Sequence, residues 1–220
     1  MEEMNLPPEL IAFIRKNTRN LQIGLICLVV LVLAWVFYDY YTGMQETKGA
    51  SLLASGLQTE ASEQRVQILE TVINNYGRTD AARWSKLELA HIDYRDGRIE
   101  AAAAKYKEIL DAVSADNPLA PLARLNLAQS YEQAGQYDQA IAQYNLLEKA
   151  SGFTNQAYLG LGRIYIAKED QVQARKAYEK LLGSLEDSPD AVLKSQVEAK
   201  LASLDAGKPV ISSQPEENKE

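Results

Sequence analysis

Two residue types that most metal centres and nucleophilic sites depend on are nearly missing: the 220-residue chain has one cysteine, Cys27, and one histidine, His91. A lone histidine with no second ligand at metal spacing makes no metal site, so His91 reads as a solvated or hydrogen-bonded surface residue. No Gly-rich loop follows a strand pattern, so no phosphate cradle is present. Basic residues are also in deficit. Lys and Arg number 23 against 30 acids, a net charge of −7 without the basic clusters that phosphate binding needs, which excludes nucleic acid as a partner. Because Cys27 is the only cysteine, no internal disulfide can form, and stability has to come from packing. Carboxylates are plentiful, but "EQAGQYDQA" and "KED" fall on helix faces and turns, the pattern of a solvated surface and not of acid/base catalysis. The chain is therefore read as a non-enzyme that needs no cofactor and no metal.

What is present is distributed unevenly. Leu21 to Tyr38 (LQIGLICLVVLVLAWVFY) carries no charge. As a helix it would be roughly 27 Å long, close to the hydrocarbon thickness of a bilayer. The run is longer than a signal-peptide core, and no small-x-small cleavage pattern follows it, so an uncleaved signal anchor is expected. Cys27 sits mid-span after Ile26, which is no lipoprotein site, and reads as a lipid-facing small hydrophobe. Arg15, Lys16 and Arg19 precede the span whereas Lys48 alone follows closely, which predicts a cytoplasmic N-terminus. Trp35, Phe37, Tyr38, Tyr40 and Tyr41 mark the opposite interface. The expected organisation is a cytoplasmic segment 1–20, an anchor 21–41, an exported domain 42–205 and a disordered tail 206–220, where "GKPVISSQPEENKE" has no apolar period.

Within the exported domain a repeat is visible. Leu127, Ala128, Tyr131, Ala140 and Tyr144 recur 34 residues later as Leu161, Gly162, Tyr165, Ala174 and Tyr178. This is the period and pattern of the tetratricopeptide repeat, a helix hairpin with L-[G/A]-x-x-Y on helix A and A-x-x-x-[F/Y] on helix B, which the segment resembles. The small residues let paired helices approach and the tyrosines fill the space between units. Gly135 ends helix A; Glu169 stands there in the last unit. A further copy, Leu89, Ala90, Gly97, Ala102 and Tyr106, lies 38 residues upstream. The four extra residues are expected in the turn-rich "SADNP", and Asp93 replaces the tyrosine, with Tyr94 beside it. Met44 to Gln58 with Val66, Leu69, Val72, Ile73 and Tyr76 suggests a degenerate first hairpin, the membrane helix running straight out to about Leu57, with Gly43 as a candidate break. Ala191 to Leu204 is expected to cap the stack with Val192, Val197, Leu201 and Leu204 inward.

The fold class is thus all-α: one N-terminal transmembrane helix, then a tetratricopeptide-type α-solenoid with a C-terminal capping helix. Such a stack offers a groove lined by the A helices. The predicted lining is Trp84, Leu87, His91, Tyr94 and Arg95 from the first clear repeat. The next adds Leu125, Gln129, Glu132 and Gln133, and the last Gln156, Leu159, Arg163 and Ile166. With two arginines and mixed polarity, this lining suits a segment carrying apolar side chains, with Trp84 and Tyr94 as anchors, although Trp84 could equally pack on the preceding hairpin.

A basic-flanked N-terminus, a single anchor, the helix "KGASLLASGL" leaving it and hairpins such as "LELAHIDYRDGRIEAAAAKYKEIL" together resemble the YfgM-like family over nearly the whole chain. The resemblance implies a bacterial inner-membrane protein with a periplasmic domain, associated with the SecYEG translocon and a PpiD-like membrane-anchored prolyl isomerase. It implies a role in passing exported polypeptides to periplasmic chaperones. A second reading is an anchored scaffold for another envelope assembly, such as outer-membrane, cell-wall or division machinery.

Overall fold

The computed structural model describes residues 8–186 and 189–206, which leaves most of the expected tail, and the first seven residues, outside the described residues. Among the described residues all regular structure is helical: α1 (Pro8–Gln58), α2 (Ser62–Asn75), α3 (Asp80–Arg95), α4 (Ile99–Ala112), α5 (Leu119–Gln133), α6 (Tyr137–Leu147), α7 (Thr154–Ala167), α8 (Gln171–Ser184) and α9 (Ala191–Asp205). Each helix packs on the next in order from α1 to α9, the arrangement of stacked hairpins.

Helix α1 is 51 residues long and passes through Gly43 to Gln58 without interruption, so the helix runs on as expected and the candidate break is not used. A glycine inside a helix costs about 1 kcal/mol of propensity, which the flanking helix and the packing at its far end outweigh. The one non-helical residue lies at Asn17 (φ −113°, ψ 15°), where the side-chain amide donates to the Phe13 carbonyl. Apolar side chains from Leu21 to Tyr41 are exposed all round, and α1 is the one helix among the described residues long and apolar enough to cross a membrane.

The C-terminal part of α1 forms the first hairpin with α2 and also packs on α3. Leu53 joins Leu69, Val72, Leu89 and Ile92 in the core there. Close approach depends on glycine: a Cβ at Gly56 would lie 2.9 Å from the Ile68 side chain. At the same junction the Glu46 carboxylate accepts from the amides of Asp80 (3.0 Å) and Ala81 (3.3 Å), while Thr79 caps α3 by accepting from Ala82. Two of the orphan amides at the start of α3 are thus satisfied by α1.

Three later hairpins share one turn. The amides of Arg98, Gln136 and Asp170 each donate to the carbonyl five residues back, on Asp93, Tyr131 and Tyr165, at 2.8 Å. Between them sit Gly97 (φ +78°), Gly135 (φ +71°) and Glu169 (φ +59°), all in the left-handed region. The small residues Ala90, Ala128, Ala102, Ala140 and Ala174 are fully buried, as are Tyr106, Tyr144 and Tyr178. A Cβ at Gly160 would come within 2.2 Å of the Tyr144 ring, and one at Gly162 within 2.5 Å of the Tyr178 ring. Tyr144 therefore locks α6 to the following hairpin, and Tyr178 locks α8 to α7 in its own.

Two details differ from the sequence expectation. The connections 113–118 and 148–153 are equal in length, so "SADNP" holds no insertion; three of the four extra residues lie in α4, 14 residues against 11 in α6, and the fourth in α5, 15 against 14 in α7. Between α6 and α7 the chain passes through Gly152 at φ +81°. In α9, Val197 and Leu204 are buried and Leu201 packs beside them, but Val192 is 68% exposed. Val192 lies in the first turn, one residue off the inward stripe, and Leu193 takes its place in the core.

Candidate peptide-binding face

Helix α3 touches α5 and α5 touches α7, whereas among the described residues no two of α4, α6 and α8 touch. One row of helices is therefore closer together than the other. The α3/α5/α7 row is the inner side of a curved stack, and any groove lies along it.

Polar bonds tie this row together. Asn126 on α5 meets the His91 ring on α3 (Nδ2 to Nε2, 3.1 Å) and also donates to the Leu122 carbonyl. The other ring nitrogen, Nδ1, faces the Glu88 carboxylate at 3.6 Å. His91 also stacks at a tilt against Tyr106, 5.7 Å between centroids.

Further along, Glu132 on α5 accepts two bonds from Arg163 on α7, from Nε at 2.7 Å and Nη2 at 2.8 Å, and a third from the Tyr144 hydroxyl at 2.7 Å. Burial works against the Arg163 charge, but Glu132 outweighs it and the guanidinium pKa rises. Burial followed by the Glu132 charge raises the Tyr144 phenol, and the same two causes raise that of Tyr94. A bidentate, half-buried pair of this kind is geometrically specific in a way that exposed ion pairs such as Lys86–Glu108 are not.

The predicted lining divides into three groups. Trp84 (44% exposed), Arg95, Gln133 and Gln156 are exposed, and Trp84 is the large apolar side chain that α3 presents to solvent. His91, Tyr94, Leu125, Gln129, Glu132, Leu159, Arg163 and Ile166 are half-buried; of these, Tyr94, Leu125, Leu159 and Ile166 lean on the core clusters between hairpins. Leu87 is 3% exposed and lies within the core with Ala90 and Tyr106, so it is not available to a ligand. Position 87 follows the apolar stripe of α3 inward, where counting from Leu89 and Ala90 placed it in the groove-facing set.

Sequence reasoning missed Asn126, Glu88 and the bond from Tyr144 to Glu132. Separation by about one repeat is the signal for Asn126, 35 residues from His91, as it is for the Glu132–Arg163 pair (31 residues), whereas Glu88 lies three residues from His91 and Tyr144 twelve from Glu132. Among the described residues there is no group of three or more His, Cys, Asp or Glu side chains that could hold a metal ion. The arrangement can hold a polypeptide.

The model of the tetratricopeptide repeat-like domain matches residues 12–206. The chain belongs to that family. Solved structures agree on the fold of this tetratricopeptide repeat (TPR) protein. A tetratricopeptide repeat protein from Parabacteroides merdae superposes with TM-score 0.60 at 16% identity, over 74% of this chain and 61% of that one. This TPR chain thus spans less than two thirds of that relative. BtubC from P. vanneervenii superposes with TM-score 0.51 at 17% identity, over 75% and 83% of the two chains. At such identities the likeness shows the fold alone. No curated protein matches the sequence. TPR folds are generally non-catalytic interaction scaffolds, and no enzymatic family is indicated.

Proposed function

We propose that this TPR protein is a membrane-anchored adaptor of the Sec translocon. Residues 21–41 cross the inner membrane, 1–20 face the cytoplasm, and 42–205 lie in the periplasm, passing exported polypeptides to chaperones by way of the α3/α5/α7 face. The observation that carries the reading is the continuity of α1. An apolar stretch exposed on every side is the start of the same helix whose end is built into the repeat core at Leu53, Gly56 and Glu46. A helix that is apolar all round has to be surrounded by protein or lipid, and none of the described residues covers this one. The anchor therefore holds the repeat face at a set distance from the bilayer instead of tethering it on a flexible linker. That suits an adaptor waiting at the exit of a membrane channel.

Quantitative co-purification from native membranes in mild detergent tests this reading. The full-length protein is compared with a variant whose Leu21 to Tyr38 span is replaced by an unrelated one. Enrichment of SecYEG and of a PpiD-like isomerase with the native span supports the adaptor. Recovery of cell-wall, division or outer-membrane assembly proteins without channel subunits replaces it with an anchored envelope scaffold.

A further inference from the structure

The direction of the helices fixes which end of the first hairpins faces the bilayer. Glu46 of α1 accepts from the amides of Asp80 and Ala81, and a Cβ at Gly49 would lie 3.2–3.3 Å from Ala81, Thr79 and Tyr76. The turn from α2 into α3 therefore sits at the height of residues 46–49. At about 1.5 Å per residue, Gly49 is roughly 12 Å past Tyr41, the last aromatic residue expected at the interface. Headgroups fill about 6 Å of that distance, and a long basic side chain reaches across the rest. Farther along α1, Leu53 meets Leu69, Leu89 and Ile92, so α3 runs away from the membrane alongside the end of α1. Helical side chains lean toward the N-terminus of their own helix, so those of Arg83 and Lys86 on α3 lean toward the bilayer.

Beside that turn α2 and α4 do not touch, and the gap between them is an open cleft of about 410 Å³ that α3 also lines. Its walls carry three cations, Arg78, Arg83 and Lys86, in a chain whose net charge is −7. Lys86 bonds Glu108 at 2.7 Å and Arg83 pairs with Asp80. Arg78 is exposed, and no acid among the described residues pairs with it. The repeat does not require these charges. A second cleft of about 400 Å³ occupies the same position one repeat later, where Asp116, Pro121, Arg124 and Leu146 stand for Arg78, Arg83, Lys86 and Glu108. Helix α1 packs on α2 and α3 and on no later helix, so the basic cleft is the one that adjoins the anchor, and the mixed, partly apolar one lies farther along the stack.

We propose that the α2/α4 cleft binds the phosphate of an anionic phospholipid headgroup from the bilayer that holds α1. The site rests on the reading of residues 21–41 as a membrane anchor. Phosphate oxygens accept from the unpaired Arg78 guanidinium and from the N–H groups that Arg83 and Lys86 do not spend on Asp80 and Glu108. Those two acids hold their cations at the cleft wall. In sequence Lys48 is the one cation that closely follows the span, and folding returns the others to the membrane surface. One contact of this kind pins a point of the repeat domain and leaves its orientation to α1.

Thermal unfolding of the full-length protein in nanodiscs tests this. Discs of phosphatidylcholine, whose phosphate is neutralised by its own ammonium, are compared with discs of an equal mixture of phosphatidylcholine and phosphatidylglycerol. A headgroup that binds only the folded domain should raise Tm in the mixture by about 2–4 °C. General charge works the other way, because an acidic domain is repelled by an anionic surface. The rise should vanish in Arg78→Gln, turn into a fall in Arg78→Asp, and persist in Lys176→Gln, which removes an exposed cation of α8. Arg78 is exposed and unpaired, so neither of its substitutions should change Tm in phosphatidylcholine alone. Hydrogen exchange should slow on phosphatidylglycerol at residues 76–83 and not at 113–121. Equal Tm in the two lipids, with the protein inserted in both, overturns the site and leaves the anchor standing. Failure to insert in either overturns the anchor and the site with it. A rise that survives Arg78→Gln, or that Lys176→Gln also abolishes, belongs to diffuse charge and overturns the cleft. A rise reproduced by soluble glycerol phosphate in phosphatidylcholine discs makes the ligand a free phosphate and overturns the lipid assignment.

Discussion

Glu169 occupies a backbone conformation, φ +59°, that its counterparts Gly97 and Gly135 adopt without a Cβ. A side chain in the left-handed region costs about 1–2 kcal/mol, part of which glycine gives back as unfolded-state entropy. Glu169→Gly is therefore expected to stabilise the protein by roughly 0.5–1 kcal/mol, read as a higher urea midpoint. A midpoint that falls would mean the Glu169 side chain has a role of its own. Asp93 illustrates the opposite case, a residue that breaks the repeat pattern and is compensated. Its carboxylate, 11% exposed, pairs with Arg98 at 2.7 Å and with Lys105. Burial would raise its pKa, but the bonds from Lys105 and Arg98 outweigh burial and hold it below the ordinary value of 3.8. The unfolded state then binds more protons just below pH 4, so this contribution is present above that pH and lost as pH falls through the folded value. Asp93→Asn should be less stable than wild type by about 1–3 kcal/mol at neutral pH and should flatten the acid limb of the stability profile. Identical acid limbs would remove the pair from the stability account. That Asp93 departs from the tyrosine pattern was legible in the sequence. Its partner Lys105 was not, because the two meet only once the α3/α4 hairpin closes.

At the scale of helices the repeat register was readable because it rests on steric exclusion. Alanine at 102, 140 and 174, with tyrosine four residues later, leaves one way to pack a hairpin, and these side chains are all buried. Ala140→Leu or Ala174→Leu should accordingly overpack a fully closed site and cost about 1–3 kcal/mol, and unchanged thermal unfolding would contradict the packing. What could not be read was how helix ends are set by distant groups. The junction of α1 with α3 depends on Glu46, which lies 34 residues from the amide it caps. Removing it in Glu46→Ala strips a carboxylate from the N-terminus of α3, which should cost about 1 kcal/mol. Hydrogen exchange should then quicken selectively at Asp80 and Ala81. No change at those amides would show that water caps them equally well. On the inner face, helical counting brought His91, Glu132 and Arg163 to one row but put Leu87 there too, since side-chain direction shifts by fractions of a turn that spacing alone does not resolve.

For the whole molecule the decisive property is that the apolar segment and the repeat stack share one helix. An unbroken α-helix transmits orientation over its length, whereas a Gly-rich insertion behaves as a random coil and transmits only reach. The end of α1 is held independently, through Leu53 in the core, the close contact of Gly56 with Ile68, and the Glu46 bonds. Four glycines inserted between Gly43 and Met44 should therefore leave the repeat domain folded, with unchanged thermal unfolding, while uncoupling it from the anchor. Spin labels at the single native cysteine, Cys27, and at Gln139→Cys on the exposed side of α6 would read the coupling in lipid nanodiscs. The uninterrupted chain is expected to give one narrow distance distribution and the inserted chain a broad one. If both are broad, α1 bends near the bilayer surface and the repeat face is not held at a set height. If both are narrow, contacts between the domain and the bilayer, and not α1, set its position. Only the first of these three outcomes, joined to loss of channel subunits from the inserted variant, makes helix continuity the basis of the adaptor.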